Sequence, residues 1–99
     1  MKKYKYARLN IFSGIHIKSL GLSGTDPKLI EEVSLELKKM APQAKMDTGR
    51  NSVHMENIKN QHEVYWWLII YLCDQGWEPF SAENHVESRE NHFRFEYEE

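Results

Sequence analysis

The sequence predicts an α+β fold: a two-layer sandwich with an antiparallel sheet, two helices on one of its faces, and the ferredoxin-like β-α-β-β-α-β order. Three observations point there. Alternating aromatic and aliphatic stretches stand near both chain ends. A one-faced helical pattern follows Asp26-Pro27, and an apolar run of ten residues occupies Val64 to Cys73.

The first stretch, Tyr4 to Phe12, sets Ala7, Leu9 and Ile11 on one face at period two and Tyr4, Tyr6 and Phe12 on the other. Ser13-Gly14 then bends the chain, and Ile15 to Lys18 either continues the strand or folds back as a short hairpin. Gly21 to Thr25 reads as a loop. At Asp26-Pro27 a helix begins, because Asp accepts free first-turn amides and Pro has no amide to leave unbonded. Ile30, Val33, Leu37 and Met40 recur at helical spacing, acids precede bases along the outer positions, and Pro42 ends a helix over about 27–41. Lys45-Met46 and Ser52 to Met55 flank Asp47 to Asn51 as a small hairpin.

Asn60 caps the second helix, whose apolar run reaches around the whole wheel and therefore implies burial on more than one side. Gly76 is placed to stop it. Strands follow at Trp77 to Ala82 and at His92 to Tyr97, where Phe93, Phe95 and Tyr97 face inward. Glu83 to Asn91 reads as a polar, mobile connection.

The whole chain, residues 1–99, forms one domain. Its 40% apolar and 12% aromatic content offsets the entropy of ordering and argues against disorder. The ten-residue run is half of what a membrane-spanning helix needs, about 20 residues, and Lys2-Lys3 is followed by no apolar segment of signal-peptide length, so no membrane role is expected. The single cysteine, Cys73, excludes an internal disulfide, reads as a buried inert thiol, and suits a cytoplasmic setting. Net charge is −2 but uneven: residues 1–20 carry five basic residues and no acid, whereas 78–99 carry seven acids against Arg89 and Arg94. If the first and last strands are neighbours, Lys3, Lys5 and Arg8 face Glu96 and Glu98 and the asymmetry is absorbed within the sheet.

The block Glu63 to Phe80, ending Leu72-Cys73-Asp74-Gln75-Gly76-Trp77-Glu78, resembles a group of small bacterial domains of unassigned function, and Met1 to Tyr6 resembles their first strand. The resemblance implies a helix that runs into a Gly-Trp-Glu turn and then a C-terminal hairpin; it implies no activity. Gly14 to Asn60 departs from that pattern by its length.

No catalytic or cofactor motif is present, and the sequence reads as non-enzymatic with no cofactor. The serines lack an elbow sequence, and no histidine stands at metal-ligand spacing; His85 and His92, which a terminal hairpin brings closest, are the one pair considered for a metal. The leading expectation is a protein-interaction or regulatory module, a homo-oligomer or a binder of another protein. Trp66, Ile69 and Ile70 form its interface, since Val64, Trp67, Leu68 and Tyr71 suffice to cover the sheet. A small-molecule or anion site using Arg50, Tyr71 and Trp77 is the alternative. Single-stranded nucleic-acid binding through Lys2, Lys3, Lys5 and Arg8 with Tyr4 and Tyr6 ranks third, because the overall charge opposes it.

Overall fold

The computed structural model describes residues 1–98; Glu99, the last acid of the C-terminal stretch, lies outside them. Three hairpins alternate with two helices. Strands β1 (Lys2–Ser13) and β2 (Lys18–Gly24) lead into helix α1 (Pro27–Met40). Strands β3 (Lys45–Thr48) and β4 (Ser52–Glu56) lead into helix α2 (Gln61–Asp74), and β5 (Glu78–Asn84) and β6 (Ser88–Glu98) close the chain. The six strands make one sheet in the order β3-β4-β2-β1-β6-β5, with every neighbouring pair antiparallel.

The α+β class and the two helices on one sheet face agree with expectation, but the ferredoxin-like order does not. That order needs four strands, whereas β2 here occupies the stretch read as a loop. Ser19 to Leu22 is buried as strand, with Leu20 and Leu22 opposite Ile11 and Leu9 on one side and Met55 and Val53 on the other. Its two glycines disguise it: a Cβ at Gly21 would fall 2.7 Å from Asn10 Oδ1, and one at Gly24 2.6 Å from the Tyr6 carbonyl. Glycine here marks a close approach of neighbours rather than a loop. The Glu83 to Asn91 connection is also mostly strand, and only residues 85–87 turn the chain.

One apolar core lies between the helices and the sheet, with Leu9, Leu20, Val53, Met55, Phe93, Val33, Leu37, Val64, Leu68 and Leu72 each at most 1% exposed. Asp26 Oδ1 accepts the Lys28 amide at 3.1 Å, so the predicted cap of α1 forms. Gly76, at φ +98°, turns the chain out of α2, and the Trp77 amide returns to the Leu72 carbonyl at 2.9 Å. Trp77 is thereby buried against Phe95, ring centroids 5.6 Å apart.

The first and last strands do pair, Lys2 opposite Glu98 through Phe12 opposite Ser88. The charge partners differ from expectation because side chains alternate across the sheet. Lys5 lies on the helix side, where it meets Asp26 at 3.4 Å and the Tyr97 ring at 5.5 Å. Glu96 instead meets Lys2 at 3.4 Å, Glu98 meets the N-terminal ammonium at 3.6 Å, and Arg8 stands opposite His92.

Candidate functional site

Helix α2 is anchored at its start by Gln61, which is 3% exposed. Its amide donates to the Phe12 carbonyl at 2.6 Å and the Ser19 carbonyl at 2.7 Å, and its carbonyl accepts from the Ser13 hydroxyl at 2.8 Å. This ties the helix to the turn end of the β1–β2 hairpin. Val64, Tyr65, Leu68 and Leu72 then face the sheet, and the Tyr65 hydroxyl donates to Asn91 on β6. Burial pushes the Tyr65 pKa up.

Trp67 and Tyr71, expected to cover the sheet, instead lie half-buried at its flank, stacked at 5.0 Å with planes 22° apart. Tyr71 stands beside Glu32 of α1, and burial together with that carboxylate pushes its pKa up. Of the three residues proposed for an interface, Trp66 is 63% exposed and Ile70 56%, whereas Ile69 is half-buried and packed against the core. Cys73 is exposed, contrary to the buried thiol expected, because one helical step of about 100° from core-facing Leu72 turns it outward. The outer face of α2 therefore presents Trp66, Ile70 and Cys73 between exposed His62 and Glu63 at one end and Asp74 at the other.

The face of the sheet away from the helices carries a second cluster, spread over three strands. Tyr4 and Tyr6 have ring centroids 6.3 Å apart, Tyr6 and Phe80 6.2 Å, and Phe80 and His92 6.2 Å. Arg94 lies over Tyr4 at 5.1 Å and Phe80 at 5.6 Å while its guanidinium meets Glu78 at 3.4 Å, an ion pair that raises its pKa further. Tyr4 and Tyr6 were legible as ring-bearing positions in the sequence. Phe80 and Arg94 were not, since their place beside β1 depends on β6 being its neighbour and on the register shift between Pro79 and Ser81.

Arg50, Tyr71 and Trp77 do not share a hollow. Arg50 is exposed in the β3–β4 turn and lines a shallow depression with Glu31, Leu35, Lys38 and Met46; Tyr71 is engaged with α1, and Trp77 is buried beneath Phe95. His85 and His92 also stay apart: His85 meets Glu83 at 3.7 Å at the hairpin tip, and His92 meets Glu90 at 3.5 Å. Among the described residues no group of three His, Cys, Asp or Glu side chains is placed to hold a metal ion, and no helix is long and apolar enough to cross a membrane.

No protein-family model and no curated protein matches the sequence. The likeness lies in structure alone. A solved structure described as a conserved kinetoplastid-specific protein from Trypanosoma cruzi superposes with a TM-score of 0.56 at 14% identity, over 92% of this chain and 93% of the other. At that identity the match establishes a shared fold across nearly the full length of both chains and carries no function.

Proposed function

We propose that this chain is a non-catalytic interaction module that self-associates through the outer face of α2. The observation that supports this reading is the pair Trp66 and Ile70, one helical turn apart and both more than half exposed on a helix whose opposite side is fully packed. Large apolar side chains gathered on one exposed face favour association, and tryptophan is the residue type most enriched at the energetic centres of interfaces. Neither residue is needed to close the core, which Val64, Tyr65, Leu68 and Leu72 already reach. The lone thiol of Cys73 suits a reducing, cytoplasmic setting. Sedimentation over a concentration series tests the proposal: the particle mass rises above the 11.8 kDa of one chain as concentration increases. A constant mass of one chain at all concentrations refutes it.

A second reading rests on the open sheet face. Tyr4, Tyr6 and Phe80 make a stacking platform of the kind that holds unpaired bases. The charge around it works the other way, because Glu78, Glu90 and Glu96 stand beside Arg8 and Arg94. Fluorescence anisotropy with a labelled oligonucleotide at low salt decides this reading, and no binding there removes it.

A further inference from the structure

We infer that the partner of α2 is the α2 helix of a second copy, lying antiparallel to it about a two-fold axis at the level of Leu68. This deepens the self-association proposed above and rests on it.

His62, Trp66, Ile70 and Asp74 follow one another at four-residue intervals, so they form a single ridge along the exposed face of the helix. The ridge is balanced about Leu68. Trp66 and Ile70 lie two positions on either side of it, and His62 and Asp74 six. Reversing the direction of a second, identical ridge therefore sets Trp66 against Ile70 of the second copy, and His62 against Asp74 of the second copy, each pair formed twice. The bulky ring meets the smaller aliphatic side chain rather than another ring. Glu63 falls opposite Cys73 of the second copy, so no acid stands directly opposite another.

Charge selects this direction over the parallel one. Asp74 sits in the last turn of α2, where the helix's own dipole disfavours an acid, and no basic residue accompanies it there. In the antiparallel pair Asp74 lies beside the first turn of the other helix, where the free amides, His62 and the exposed Lys59 offset that turn's own Glu63. A parallel pair would instead stack Asp74 on Asp74 and Trp66 on Trp66. Two such ridges side by side correspond to a crossing angle of about −50°.

Three variants test the arrangement on the full chain by sedimentation equilibrium, with circular dichroism as the check on folding. Trp66→Glu replaces an exposed side chain and weakens association by about 30-fold or more, as loss of a central aromatic does. Asp74→Lys and His62→Asp each weaken it by roughly 2–5-fold, the scale of an exposed charge pair formed twice. Each of these two substitutions suits its own helix dipole, so neither threatens the fold. Combined in one chain, they rebuild an opposite-charge pair across the two-fold and return the dissociation constant to within about twofold of the parent.

A chain that associates but is unaffected by Trp66→Glu keeps self-association and overturns the α2 interface. A double variant weaker than either single one overturns the antiparallel register. A parent that stays a single chain refutes both this inference and the reading beneath it. Cys73 adds an independent check: antiparallel helices hold the two thiols about 15 Å apart along the axis, beyond disulfide reach. Mild oxidation therefore links the parent no faster than the Trp66→Glu variant, and faster linking of the parent overturns the antiparallel pair.

Discussion

The two helices have the same length, fourteen residues, and rest on the same face of the same sheet, yet their outward faces are built differently. α1 turns Leu29, Ile30, Val33 and Leu37 inward and exposes Lys28, Glu31, Glu32 and Lys39, with Leu35 the lone large apolar residue outside. α2 turns Val64, Tyr65, Leu68 and Leu72 inward and still exposes Trp66, Ile70 and Cys73. Both satisfy the sheet. The difference teaches that apolar content beyond one buried stripe reports on something other than folding, because the core is already closed without it.

The widest gap between the two faces shows in denaturation at high dilution. Leu37→Ala and Leu68→Ala each destabilise the fold by about 2–5 kcal/mol, since both side chains are fully enclosed. Trp66→Ala changes it by only about 0.5 kcal/mol under the same conditions. A loss from Trp66→Ala as large as that from Leu68→Ala would break the comparison and make the outer face part of the folding core.

The helices also differ in how they are attached. Gln61 has no counterpart in α1, and Gln61→Leu removes its three hydrogen bonds to Phe12, Ser13 and Ser19. The expected cost is about 2–3 kcal/mol by urea titration. Helix starts give a smaller contrast. Asp26 caps α1 directly, so Asp26→Ala costs about 1 kcal/mol. Asn60 makes no cap bond; its amide donates to the Met40 carbonyl at 3.3 Å and its own oxygen is buried with no hydrogen-bond partner among the described residues. Asn60→Ala therefore costs less than Asp26→Ala, and the reverse order would show that the cap is not what distinguishes the two starts.

The smallest expected effect concerns pH. Tyr65 and Tyr71 both belong to α2, and burial raises the pKa of each above its unfolded value of about 10. A raised pKa means the folded chain holds its proton more tightly, so this stability is complete below about pH 10 and is lost as pH climbs through the folded values. Tyr65→Phe flattens that alkaline decline. An unchanged decline would exclude Tyr65 as its cause and leave Tyr71 as the candidate on α2.

Much of the fold was legible in the residues. Asp26-Pro27, the spacing from Ile30 to Leu37, and Gly76 before Trp77 each act within a few positions of themselves, so the bounds of both helices followed from local chemistry. β2 was hidden because Gly21 and Gly24 imitate a loop when the chain is read alone. They belong to a strand only because Asn10 and the Tyr6 carbonyl crowd them from β1. The candidate interface divides the same way. Trp66 and Ile70 stood out as surplus, but Ile69 was separable from them only once the core was seen to take it up.

The amino-acid order by itself settled the class of the fold and the extent of the helices. Propensity, capping and alternation are all properties of neighbours along the chain, and they need no knowledge of the rest. The strand order and the gathering of Tyr4, Tyr6, Phe80 and Arg94 on one open face were decided only in three dimensions. So was the choice of which of α2's apolar residues remain outside. These depend on which elements compete for the same buried area, and that competition is resolved between segments far apart in sequence.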